Sequence, residues 1–253
     1  MTTTAPEASD FGFDPFGRDP ELYARLRPRL DLLLDRWLKV QVEGHEHIPR
    51  SGRALLVASH GGALPWDAVV LLAALGRASE RHVRPLVEDP VMTAPFLGTL
   101  LTRLGCVRAS QDNAARLLDR DEVVLVFPEG MQGLGKLWRQ RHKLMRFGRG
   151  GFVRLALRTK APILPVAVVG AEDTSPLLFK IGGLMKEKSL PYIPVTPVIP
   201  LPARWRIKVG APLDAAAEMP EVTDIAVSTL ATKVKDTIQR DVDALVADRG
   251  SAF

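Results

Sequence analysis

Short apolar runs recur along the chain with room for about one helix between neighbours, and this alternation restricts the fold more than any single motif. Residues 54–58 (ALLVA), 83–87, 106–107, 123–127, 163–169 and 205–209 read as strands. Residues 65–75, 93–104, 110–118 and 151–159 read as helices, the first stopped at Gly76 and the second carrying Pro95 in its first turn. The runs are rich in Val, Ile and Leu on consecutive positions, as in strands covered on both faces. The expected fold is therefore α/β, a single domain with a mostly parallel central sheet flanked by helices. A last helix over 221–248 sets Val227, Leu230, Val234, Ile238, Val242 and Leu245 on one face, where it caps the core. A chain of 253 residues is long enough to bury a sizeable core in one such domain.

Residues outside this pattern divide the chain further. Residues 1–20 are polar and rich in Pro, Gly and Asp, and are expected to form an extended or poorly ordered arm. Over 21–40, Leu22, Leu26, Leu30, Leu33, Leu34, Trp37 and Leu38 recur at helical spacing between Arg25, Arg27, Arg29, Arg36 and Lys39. This is an amphipathic basic helix, bent at Pro28, and two placements fit it: packed on the core, or lying in a membrane interface with Trp37 and the leucines inward. Residues 41–250 form the main domain. Within it, LPYIPVTPVIPLP (190–202) carries Pro191, Pro194, Pro197 and Pro200 three apart, a spacing suited to polyproline II and to neither helix nor central strand. With the apolar residues 177–185 before it, this segment is either a connection over the sheet or an apolar surface facing lipid or acyl chains.

Charge and cysteine content narrow the function. The net charge is +5, yet residues 131–171 hold nine Lys or Arg, from Lys136 to Lys160, and no Asp or Glu. The basicity is thus one local patch, and its partner is expected to be anionic. Aromatic residues are sparse there and no nucleic-acid motif is present, so nucleic acid is not an expected partner. Cys106 alone cannot form an intramolecular disulfide, and His45 and His47 have no third ligand nearby, so neither a disulfide framework nor a metal site is expected. The first ten residues do not resemble a secretory signal, and no run reaches the ~18–20 apolar residues of a spanning helix. A cytoplasmic protein, peripheral on the inner face of the membrane, is expected.

Nucleophile-elbow, phosphate-loop, dinucleotide and zinc-protease motifs are all missing. What stands out instead is His60, directly after ALLVAS, followed by Gly61, Gly62, Pro65 and Asp67. The strand end and two-glycine turn put His60 at the carboxyl edge of the sheet, with Asp67 in the first turn of the next helix. A carboxylate there can hold one imidazole nitrogen and leave the other as a base, an arrangement suited to deprotonating a substrate hydroxyl. Phe127-Pro128-Glu129-Gly130 follows another buried strand and opens on the same edge, as does Arg108.

The order of Gly44-x-Glu46-x-Ile48-Pro49-x-x-Gly52, ALLVASH with Asp67, Leu104-Gly105 to Arg108, Phe127-Pro128-Glu129-Gly130 and Ala161-Pro162-Ile163-Leu164-Pro165-Val166 resembles the glycerophospholipid acyltransferase superfamily, in its lysophospholipid (1-acylglycerol-3-phosphate) acyltransferase branch. The resemblance covers about residues 40–170. It implies an O-acyltransferase that needs no cofactor and moves a fatty acyl group from acyl-CoA or acyl carrier protein to a hydroxyl of a lysophospholipid, glycerolipid or related lipid. It implies His60 as the general base, Asp67 as its orienting partner, and Arg108, Phe127, Pro128, Glu129 and Gly130 as acceptor-binding residues. Three features depart from the common family pattern: six residues separate His60 from Asp67, Ser59 precedes the histidine, and Met131-Gln132 follow Glu129-Gly130. A non-catalytic lipid-binding or lipid-transfer module on the same fold is the rival reading.

Overall fold

The computed structural model describes residues 12–182, 192–219 and 221–253. Its central sheet takes strands β1 (Gln41–Glu43), β2 (Ala54–Ala58), β3 (Val83–Val87), β4 (Val107–Arg108), β5 (Val123–Val126), β6 (Ile163–Val169) and β9 (Arg206–Val209), in the order β1-β9-β6-β2-β5-β3-β4. Strands β2 to β6 are parallel, β9 runs antiparallel to β6, and β1 runs parallel to β9. A separate pair, β7 (Phe179–Gly182) and β8 (Tyr192–Val195), is antiparallel.

The helices are α1 (Pro20–Leu32), α2 (Trp66–Ser79), α3 (Asp89–Met92), α4 (Leu97–Leu104), α5 (Gln111–Leu118), α6 (Met131–Leu134), α7 (Gly151–Thr159), α8 (Ala171–Thr174), α9 (Ala215–Glu218) and α10 (Asp224–Arg249). Strand alternation assigns them to two layers. On β2, Leu55 and Val57 join the core formed with α5, α7 and α10. Ala54, Leu56 and Ala58 point the other way, into the core formed with α2. All five β2 residues are buried, and burying each Leu or Val side chain contributes about 1.5–3 kcal/mol. Val227, Leu230, Val234, Ile238, Val242 and Leu245 of α10 are buried on one stripe, as their spacing predicts.

Several boundaries differ from the sequence reading. Helix α2 runs through Gly76 to Ser79 and ends where Glu80 turns left-handed at φ 56°. The helix expected over 93–104 begins only at Leu97, after Phe96 at φ 61°. Gly98 lets α4 cross the end of α3, since a Cβ there would stand 1.9 Å from the Met92 carbonyl oxygen. The proline-rich segment supplies strand β8, in which Pro194 lies opposite Lys180. A two-stranded pair leaves alternate N–H groups facing outward, so it accepts a proline that a central strand would refuse. Leu190 and Pro191 lie outside the described residues. Helix α1 is followed by a π-helical turn, Leu33–Trp37; Leu34 and Leu38 enter the core while Trp37 stays exposed. This part of the basic helix therefore packs on the body.

The N-terminal arm is docked over its described part, in contrast to the expectation for 1–20. Asp14 accepts from the amides of Phe16, at 2.8 Å, and Arg18, at 2.9 Å, and it pairs with Arg84. Arg84 is buried, donates to the Gly105 carbonyl at 2.8 Å and holds Glu122 at 2.9 Å. Its guanidinium also lies 5.6 Å from the Phe16 ring centroid. Residues 1–11 lie outside the description. Burial pushes the Asp14 carboxyl up, but the Arg18 amide and the Arg84 guanidinium outweigh it and hold Asp14 below its ordinary value.

Arg84→Leu should therefore destabilise the protein by about 3–5 kcal/mol, because two carboxylates lose the cation between them. Asp14→Asn should cost less, about 1.5 kcal/mol. Since the folded-state carboxyl is depressed, the Asp14 contribution is present above the unfolded value of about 3.9 and fades as pH falls through the folded value. Urea unfolding of wild type and Asp14→Asn at pH 7 and at low pH checks this; a gap that does not narrow in acid contradicts it.

Candidate active site

The carboxyl edge of the sheet is organised around His60, two residues beyond β2. Ser59 anchors the strand end to β6, its amide donating to the Val166 carbonyl at 3.1 Å and its hydroxyl accepting from the Val168 amide at 3.0 Å. The chain then turns on Gly61 and Gly62. Gly62 has φ +85°, and a Cβ on it would stand 2.5 Å from Ser175 Oγ and 2.7 Å from the Ala171 carbonyl oxygen. Only glycine fits so close a turn. The turn delivers the chain to α2, whose first turn carries Asp67, fully buried. Asp67 Oδ2 bonds His60 Nδ1 and also accepts from the Gly61 amide at 3.1 Å; Oδ1 accepts from the Ala68 amide at 2.8 Å. The six intervening residues thus close the pair.

With Nδ1–H donated to Asp67, the imidazole keeps Nε2 as its acceptor, and Nε2 has no hydrogen-bond partner among the described residues. The ring stacks on Phe127 at 4.3 Å between centroids and 26° between planes. Behind it lies Gly133 of α6, where a Cβ would come within 2.6 Å of His60 Cβ.

His60 lines a cavity of about 400 Å³. Its walls include Phe127, Pro128, Gly130, Leu134, Phe152 and Leu155, an apolar set with room for an acyl chain or a lipid body. Its lining also takes in Ser110 and Gln111 at the start of α5 and Gly148 to Gly151 at the start of α7. Two helix N-termini and Arg149 bring positive potential to this part of the lining, while Glu88 brings a carboxylate to the same cavity.

Of the residues singled out in the sequence, His60 and Asp67 come together, and Phe127, Pro128 and Gly130 line the same cavity. Glu129 does not line it. It is buried, with Oε1 accepting from the His60 amide at 2.9 Å and Oε2 from the Met145 amide at 2.6 Å. Arg108 does not line it either. It is exposed and makes a two-pronged pair with Asp89, at 2.5 and 2.6 Å, that lowers the Asp89 carboxyl and raises the guanidinium. An acceptor role for either residue therefore has to compete with partners already in place. Sequence reasoning passed over Gly133, and it read Arg149 only as one cation of the basic run and not as a residue of this cavity. Arg149 had a signal, since Gly148-Arg149-Gly150-Gly151 directly precedes a helix; Gly133 had none. Cys106 is buried and burial pushes its thiol up to about 12, so it is not a nucleophile at neutral pH.

Comparison with known proteins identifies the family and the fold. The acyltransferase family model matches residues 39–169. An uncharacterised protein of Mycobacterium tuberculosis (strain ATCC 25618 / H37Rv) is 40% identical over 96% of this chain and 72% of its own length. A storage-lipid protein of Homo sapiens, the "DGAT1/2-independent enzyme synthesizing storage lipids", is 23% identical over 82% of this chain and 62% of its own length. Among solved structures, PlsC of Thermotoga maritima, a 1-acyl-sn-glycerophosphate (LPA) acyltransferase, superposes with a TM-score of 0.59 at 20% identity, over 91% of this chain and 84% of that one. Fold, motif order and extent of match agree: the chain belongs to the acyltransferase family.

Proposed function

We propose that the protein transfers a fatty acyl group from acyl-CoA or acyl carrier protein to a hydroxyl of a lysophospholipid, glycerolipid or related lipid, with His60 as general base. The observation that carries this reading is the buried His60–Asp67 pair, whose free Nε2 belongs to an imidazole on the wall of an apolar cavity. The acceptor hydroxyl gives its proton to Nε2 as its oxygen attacks the thioester carbonyl carbon. Asp67 stabilises the imidazolium that forms. The tetrahedral oxyanion then collapses, the C–S bond breaks, and the imidazolium returns the proton to the leaving thiolate. General-base help of this kind contributes about 10²–10⁴-fold, and holding both substrates in one cavity supplies much of the rest. The lipid acceptor is further supported by the names of the Thermotoga maritima and Homo sapiens relatives.

The same reading includes a membrane surface as partner, at the cytoplasmic face. No described helix is long and apolar enough to cross a membrane. Leu178, Phe179 and Ile181 at β7 are exposed, as are Val198 and Ile199. Trp37, also exposed, donates to the Pro200 carbonyl at 2.8 Å and so stands beside that segment. The described residues 175–182 and 192–205 include Lys180 and Arg204 but no Asp or Glu. The Trp138 amide donates to the Leu177 carbonyl at 3.0 Å, which sets the cations Arg139 and Arg141 next to this apolar face. Apolar side chains with cations nearby in the chain suit an anionic bilayer.

Two experiments follow. Purified His60→Ala should stay folded by circular dichroism and lose acyl transfer to a labelled lysolipid, while Asp67→Asn should fall by about 10²-fold or more through loss of the correct tautomer. A folded His60→Ala protein transferring acyl groups at the wild-type rate would end this mechanism, and a wild type that binds lipid without transfer would favour the lipid-binding rival. Secondly, the protein should sediment with vesicles containing anionic lipid and release in high salt. Phe179→Ser/Ile181→Ser should weaken that binding, and equal, salt-independent binding to neutral vesicles would remove the anionic membrane from the proposal.

A further inference from the structure

Lys136 belongs to the run of cations that the sequence assigns to an anionic partner, yet its side chain is only 3% exposed. Its ammonium lies 3.4 Å from Glu129 Oε2 and 3.0 Å from Glu172 Oε1. Glu129 is the carboxylate that receives the His60 amide. Glu172 receives the His142 amide at 2.9 Å, and its Cγ would stand 2.8 Å from a Cβ on Gly61, so it walls the turn that follows His60. Together these groups occupy a side of His60 that no substrate-sized space reaches: His60, Gly61, Lys136, His142 and Glu172 border a void of only about 10 Å³.

Resting on the reading of His60 as the base, we propose that Lys136 is a positioning residue: its ammonium clamps Glu129 onto the His60 amide and, through Glu172, fixes the Gly61 turn. The charge states agree. Burial pulls the Lys136 ammonium down, but Glu172 and Glu129 outweigh it and hold Lys136 above its ordinary value. Burial pushes Glu172 up, but His142 and Lys136 outweigh it and hold Glu172 below its ordinary value. Without the ammonium Glu129 has no cation beside it among the described residues and Glu172 has only His142, so one of the two carboxylates takes up a proton or turns away. Where Glu129 turns away it releases the amide of His60, and where it takes up the proton it accepts that bond less strongly; a shift of about 1 Å in a reacting group can cost about 10²-fold in rate.

The test compares full-length Lys136→Met, Lys136→Met/Glu172→Gln and His60→Ala. Lys136→Met should lower kcat by about 10–100-fold while changing KM for donor and acceptor by less than about threefold. The double variant, which removes one charge of each sign, should recover thermal stability yet stay slow, since Glu129 still lacks its ammonium; it also carries the test if the single variant does not fold. Wild-type kcat in either folded variant overturns the proposal, as does a double variant that regains kcat together with stability. An inactive His60→Ala beside wild-type-like Lys136 variants overturns this inference alone, whereas an active His60→Ala overturns the base itself.

Discussion

A backbone amide just past the end of a parallel strand has left the ladder that would have satisfied it, and a buried unpaired N–H costs about as much as a lost hydrogen bond. Beyond β2 that amide belongs to His60, and the protein satisfies it with the side chain of Glu129 from the neighbouring strand's loop. The rest of the site follows from this substitution of a carboxylate for a carbonyl. The carboxylate brings a charge into the interior, the charge requires Lys136, and Lys136 in turn requires Glu172. Around this frame, the His60 side chain is free to turn toward Asp67 and the cavity.

Much of the fold was legible because burial on both faces of the central strands leaves a direct mark on composition. Strands β2, β3 and β6 and helix α7 fall at the residues their apolar runs predict. Helix ends were less legible, because they depend on backbone conformations that composition does not encode. Phe96 at φ 61° and Glu80 at φ 56° are neither glycine nor asparagine, the residues that usually announce such a conformation. The proline-rich segment stays out of the central sheet, as its proline spacing predicts, but its pairing with β7 in a separate two-stranded sheet was not legible.

The candidate site divides the same way. His60 and Asp67 were found because each lies next to an element boundary that the sequence marks, with glycines on one side and a helix-starting proline on the other. The positions of Arg108 and Glu129 were equally visible, but not the directions of their side chains. Asp89, nineteen residues before Arg108, engages its guanidinium. Glu129 turns inward because its oxygens meet two backbone amides there. Lys136 was hidden most completely, since a lysine among eight other cations reads as solvated surface until its burial is seen.

The enclosure of the His60 ring has a consequence for the timing of protons. Phe127 covers a face, Gly133 closes in on Cβ and Cδ2, and Nδ1 is committed to Asp67. A ring held in this way exchanges protons with its surroundings through one atom, so whichever molecule rests against Nε2 is, for that moment, the whole of the imidazole's solvent. Crowding water out of one contact is then enough to insulate the base from bulk.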